Sequence, residues 1–245
     1  MPTACRTLAD RRPSTDNPHL FRRASEASAW GQRTWTSWAS AYPAAPESTA
    51  RQQQVAAVGR RIIVGVGRER HDWDWTFALL EAPAAAVCLP DGKVAITTAA
   101  LTLADNEGEL AALLAHVIAH SVARHGGERL SHPSVMNLGT VVDSGLPAAD
   151  LIQWQRLLAY VGRNGAGLEL SYGSTHEAVA DELALRYLAA AGYPPQTAVT
   201  FWERVGTSSA AAARQLTALH PVTPARLTRL RQRAAHASTS ADGRL

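Results

Sequence analysis

The sequence predicts an α+β fold, mostly helical, with a small β-sheet or hairpin lying beside one apolar helix. Three observations predict it. Two apolar, strand-like runs flank an Asp91-Gly92 turn signal. The chain after Asp105 is nearly all helical in pattern, punctuated by caps and glycines. Hydrophobic residues make up 46% of the 245 and charged residues 18%, a globular balance that allows a sizeable core. The formal net charge of +3 is too small to argue for nucleic acid as a partner. Lys93 is the only lysine, and the short arginine runs read as solvated surface.

Taken in order, residues 1–50 form an N-terminal extension rich in Ser, Arg, Pro and Ala, whose order the pattern does not decide. Trp30, Trp35 and Trp38 stand out in it. They suit either packing on the main domain or contact with a membrane surface. The main domain is expected over 51–238, with 239–245 a disordered tail. "RQQQVAAVGRRIIVGV" (51–66) places Val55, Val58, Ile62 and Ile63 on one side of a helix. "WDWTFALL" and "AAAVCLP" follow as strand candidates, and "KVAIT" is the return strand after the turn. Asn106, with Glu109 three residues on, signals the start of the next helix, and Gly126-Gly127 its stop. "SVMNLGTVV" and "AADLIQWQRLLAYVG" are two more helix candidates. "STHEAVADELALRYLAAAG" is another, closed by Gly192 and Pro194-Pro195, and "PQTAVTFWERVG" follows. The last helix opens at Thr223-Pro224, a cap and a first-turn proline.

No run of 18 uninterrupted apolar residues is present, so no transmembrane helix is expected. The N-terminal residues lack the apolar core of a secretion signal, and the chain as written reads as soluble. A different start would change that reading towards the cell envelope or periplasm. Cys5 and Cys88 form no C-x-x-C or metal-type cluster, so a metal site must be built from His and carboxylate.

Such a set exists. His116 and His120 in "HVIAH" stand four apart, on one face of a helix and one turn from each other. A pair alone is weak evidence. Glu177 and Asp181 in "EAVAD" repeat the spacing on a separate helix. Two histidines and a glutamate leave zinc an open fourth position, and a carboxylate one turn further can orient a ligand histidine through its other nitrogen. The bland alternatives are a Ser174-x-x-Glu177 capping box and a solvated Asp181.

The run from "FALLEAP" through "VCLPDGKVAITTAAL" to "ELAALLAHVIAHSVARHGGERLS", then "HEAVADELALRYLAAAGYPP", "TFWERV" and "LHPVTPARL", is similar to the metallopeptidases related to the CAAX prenyl protease. The heat-shock membrane protease and the bacterial Oma-like and periplasmic metallopeptidases belong to the same group, peptidase family M forty-eight, of the gluzincin type. The blocks occur in the family's order over roughly residues 51–235. The resemblance implies a zincin-like domain with one Zn2+ per chain and a peptide or unfolded protein as substrate. It implies His116, His120 and Glu177 as metal ligands, with Asp181 behind them. His220 and Arg226 would be substrate-side or regulatory groups; the bland readings are a helix-start histidine and a surface arginine. The strand ending at Leu89-Pro90 would receive a peptide by strand addition.

Two positions depart from the pattern. Ala85 stands where the family often has asparagine. More consequentially, Val117 stands where H-E-x-x-H carries its glutamate, so no catalytic base of that kind is intact. In that chemistry the glutamate takes a proton from the attacking water and passes it to the leaving amine. Losing a positioned acid–base group typically costs about 10²–10⁴-fold in rate. Valine instead extends the apolar stripe of Leu110, Leu113, Leu114 and Ile118. The expectation is a metalloendopeptidase-like protein with strongly impaired hydrolysis, or a pseudoprotease that binds zinc and peptides without cutting.

Overall fold

The structure, a computed structural model, describes residues 24–42, 48–70, 72–81, 86–130 and 172–242. The helix candidates at 134–142 and 148–162, and Ala85, lie outside the described residues.

The sheet has three strands in the order β1-β3-β2: β1 is Thr76–Leu80, β2 Ala86–Leu89 and β3 Lys93–Thr97. The expected hairpin is present, with β2 antiparallel to β3 and Leu89 opposite Lys93. Asp91 (φ 72°) and Gly92 (φ 78°) are both left-handed and turn the chain. Aspartate and glycine are residue types that tolerate this region. Strand β1 runs parallel to β3, with Thr76 opposite Lys93, a pairing that the strand pattern alone does not indicate. Every side chain of β2 and β3 is buried. Gln52 caps the outer edge of β1, donating to the Phe77 carbonyl (2.6 Å) and accepting from the Leu79 N–H (2.6 Å). Those backbone groups would otherwise stay unpaired at the edge.

Helix α1 is Ala24–Ala41 and α2 is Ser48–Val66, followed by a 3-10 turn, Gly67–Arg70. Val55, Val58, Ile62 and Val66 of α2 are buried at helical spacing, and Ile63 packs partly buried beside them. After the sheet come α3 (Thr98–Leu101), α4 (Glu107–Val122) and α5 (His125–Leu130). They are followed by α6 (Ser174–Ala190), α7 (Gln196–Thr207), α8 (Ala211–Leu219) and α9 (Pro224–Asp242).

Helix α4 is the centre of the fold. It packs on α2, α6, α7 and β2, and all its residues from Glu109 to Val122 are buried. A helix apolar on every side is stable only when other elements enclose it. Asn106 caps it by accepting the Glu109 N–H, while the Glu109 carboxylate reaches back to the Asp105 N–H (2.8 Å). The helix ends before the expected glycine stop. Arg124 adopts a left-handed conformation (φ 63°) and breaks the helix, and Gly126-Gly127 fall inside α5.

Helix α6 ends in a Schellman motif: the Tyr193 N–H reaches the Leu188 carbonyl and the Gly192 N–H the Ala189 carbonyl, with Gly192 at φ 77°. Thr223 caps α9 through its hydroxyl, which accepts the Arg226 N–H.

Helix α1 docks on the hairpin tip. Gly31 lies against the Pro90 carbonyl, with no room for a Cβ, and Gln32 donates to Asp91 (2.8 Å). Trp30 is 1% exposed, which takes it out of reach of a membrane surface. Trp35 is half-buried and the Trp38 side chain lies outside the described residues, so the membrane-surface reading has no support. Among the described residues, no helix is long and apolar enough to cross a membrane.

Candidate metal centre

Helices α4 and α6 pack side by side, and this brings "HVIAH" and "EAVAD" face to face. The N-cap of α6 is Gly173, without a side-chain cap bond, so Ser174 and Glu177 form no capping box. The Glu177 carboxylate instead points into the protein, 2% exposed. His116, His120 and Glu177 are joined there by His220, the residue that ends α8. One ligand atom from each of the four lies within 4.8 Å of every other, and all four residues are buried.

The spacings suit a small tetrahedral ion. His120 Nε2 and His116 Nε2 are 3.0 Å apart, and His116 Nε2 and His220 Nδ1 3.2 Å. Glu177 Oε1 lies 3.0 Å from His220 Nδ1 and 3.4 Å from His120 Nε2, and Glu177 Oε2 lies 3.4 Å from His116 Nε2. Zinc bonds of about 2.0–2.1 Å in tetrahedral geometry put ligand atoms about 3.3–3.4 Å apart. Three imidazole nitrogens converging on one point cannot all be satisfied by hydrogen bonds to one another, because each such bond needs one donor and one acceptor. The donor set therefore fits a metal.

Asp181 lies behind the set, its Oδ1 3.2 Å from His116 Nδ1. Arg226 is 2% exposed, in the buried layer rather than at an open face. Its Nε and Nη2 donate to the two oxygens of Asp181 (2.9 and 2.8 Å), and its Nη1 lies 2.6 Å from Glu177 Oε2. Nη1 also donates to the Pro221 carbonyl (3.1 Å), and the guanidinium stacks over Trp202. A planar fork with five donors suits this shared role.

Val117 is 3% exposed and belongs to the apolar cluster. The nearest acids along the helix are engaged elsewhere. Glu107 pairs with Arg61 and accepts from Tyr193, and Glu109 pairs with Arg204.

The electrostatics prepare Glu177 and two of the three histidines for a metal, whereas His116 must give up a proton to bind one. Burial pushes His120 well below the ordinary imidazole value, against Glu177, and pushes His220 down to about 4. Burial also pulls on His116, but hydrogen bonds to Asp181 and Glu177 outweigh it and hold this imidazole above its usual value. Burial alone would raise the two acids. His220 and Arg226 instead hold Glu177 well below the carboxylate range, and Arg226 and His116 hold Asp181 below it. Near neutral pH both carboxylates are ionised and His120 and His220 present lone pairs. Metal binding requires these forms.

The structure brings together His116, His120, Glu177, Asp181, His220 and Arg226, the six residues expected from the sequence. Four further aromatic residues line the centre without a role expected from the sequence. Tyr172 stacks on His120 (3.9 Å between ring centres) and Trp202 meets His116 edge-on (4.8 Å). His125 touches His120, and His176 lies against His125. The "ARHG" and "TFWERV" blocks were the only signals for His125 and Trp202.

The model of Peptidase family M48 matches residues 49–234. The mitochondrial metalloendopeptidase OMA1 of Schizosaccharomyces pombe is 29% identical over 181 residues, covering 73% of this chain and 51% of that protein. The Arabidopsis thaliana protein of the same name is 28% identical over 148 residues, covering 60% of this chain and 29% of its own length. That of Saccharomyces cerevisiae is 30% identical over 134 residues, covering 54% and 37%. The chain thus spans about half the length of these curated relatives or less.

Proposed function

The chain belongs to Peptidase family M48, whose metalloproteases use zinc, and from that premise we propose a zinc-binding metallopeptidase-like protein whose peptide-bond hydrolysis is strongly impaired. His116, His120, Glu177 and His220 would hold the metal, and Asp181 would orient His116. When bound, zinc supplies Lewis-acid activation of water and of a carbonyl. The observation that carries the reading is Val117: a buried apolar side chain occupies the position next to His116 from which this chemistry draws its base. Valine accepts no proton, and Glu177 and Asp181 are committed to the histidines and Arg226.

His220 favours the non-catalytic form of this reading, a pseudoprotease that holds peptides or unfolded chains. Catalytic zinc keeps a position open, whereas four protein ligands make a closed, structural set. Strand β2 supports a peptide-binding role, since it lies at the outer side of the sheet, where an added strand would pair.

Zinc content and casein cleavage of the purified chain test the proposal. The expected result is about one zinc per chain, no chelator-sensitive cleavage, and a cobalt-substituted spectrum that changes in His220→Ala. Absence of zinc sinks the metal centre. Cleavage that chelation abolishes sinks the impairment.

A further inference from the structure

We propose that His125 is a positioning residue for the metal centre, holding ligand His120 through a neutral histidine–histidine hydrogen bond. The proposal rests on the metal-centre reading above. His125 Nδ1 lies 3.0 Å from His120 Nδ1, and the two residues are 5% and 4% exposed. His120 turns its other nitrogen, Nε2, towards His116 and Glu177.

The pairing depends on a local break in the chain. In a continuous helix, residues five apart point about 140° from each other, so His125 would face away from His120. Arg124 prevents this. Its left-handed backbone (φ 63°) ends α4 and starts α5 on a new axis, returning the next side chain beneath the preceding turn. Arginine has no intrinsic preference for that region. The Tyr172 ring stacked on His120 and the His176 ring against His125 (4.6 Å) enclose the pair.

Proton counting fixes the direction of the bond. A neutral imidazole that gives its Nε2 lone pair to a metal carries its proton on Nδ1. His120 Nδ1–H then donates to His125 Nδ1, which must be the acceptor, and the His125 proton sits on Nε2. The opposite tautomer pair would leave a proton on His120 Nε2, where the metal binds. His125 thus does for His120 what Asp181 does for His116, but with an uncharged acceptor. Partners of this kind fix ring orientation, and their loss typically lowers metal affinity by about 10–100-fold.

The test uses the full chain, with zinc affinity measured by chelator competition for the unmodified protein, His125→Leu and His125→Asn. Leucine keeps bulk without an acceptor; asparagine can place an amide oxygen near the Nδ1 position. The expected result is an affinity loss of about 10–100-fold for leucine and less than about threefold for asparagine, with similar melting temperatures for the metal-free proteins. Equal affinity loss in both variants, or none in either, overturns the proposal. Nitrogen-15 spectra of the zinc-loaded unmodified chain give a second readout that needs no variant. His120 protonated at Nδ1 with His125 protonated at Nε2 supports it, and His125 protonated at Nδ1 overturns it. If the unmodified chain binds no zinc, the metal-centre reading falls together with this inference. If zinc binds and only the leucine–asparagine contrast or the tautomers fail, this inference falls alone.

Discussion

Val117→Glu is the substitution with the most to say. Residue 117 follows His116 by one position, about 100° round the helix, and lies about 60° from His120, so a carboxylate there stands on the metal flank of α4. Val117 is 3% exposed, so its replacement forfeits nearly the whole burial gain of a valine, about 1.5–3 kcal/mol. In a chain of this size that lowers the melting temperature by roughly 3–12 °C. The gain in rate from a positioned base is about 10²–10⁴-fold, equal to about 2.7–5.5 kcal/mol of barrier. Because His220 would close the fourth position, the comparison is best made between His220→Ala and the double variant with Val117→Glu. Quenched-fluorescent casein, with and without chelator, is the assay. The need for a base at position 117 is refuted if His220→Ala cleaves within tenfold of the double variant, which would mean that another group transfers the proton. The reasoning is equally refuted if the double variant folds, binds zinc and stays inert.

Other expectations follow from the same geometry. Arg226→Met leaves Asp181 and Glu177 buried beside each other without their cation, and denaturant unfolding should show a loss of about 3–5 kcal/mol. The stability of the metal-free chain should fall as pH drops from about 6.5 towards about 4. Burial depresses His220 to about 4 in the fold while an unfolded imidazole titrates near 6.5, so the unfolded state takes up its proton first; urea midpoints across that range check the sign. Gly31→Val should lift α1 from the hairpin, because the added side chain meets the Pro90 carbonyl, and limited proteolysis should then cut within residues 24–41 faster than in the unmodified chain.

Much of the centre was legible because helices write their contacts into spacing. Residues four apart share a face, so His116 with His120 and Glu177 with Asp181 could be paired before any coordinates. Their meeting across two helices, and the place of His220 and Arg226, came from resemblance, because residues in separate elements carry no common period. The turn at Asp91-Gly92 was legible for a chemical reason, the tolerance of both residues for positive φ. Arg124 was not, since arginine gives no such sign, and Gly126-Gly127 drew attention to the wrong place. The parallel β1–β3 pairing is a tertiary outcome: the alternation that marks a strand does not name its neighbour. Tyr172 and Trp202 read as ordinary apolar residues, and only packing turns them towards the histidines.

Arg226 decides what happens when the metal leaves. Two buried negative charges face it, and its single positive charge, held in place by backbone carbonyls and Trp202, is already bonded to both acids. An emptied centre therefore keeps at most one uncompensated negative charge, and His116, which both acids hold above its usual value, can take up a proton against it. The large core around α4 is built of apolar side chains, none of them a ligand, in contrast to small zinc domains that unfold when stripped. Chelation should accordingly yield a folded apoprotein with its ligands still assembled, and zinc should return by simple ligand exchange, without a refolding step.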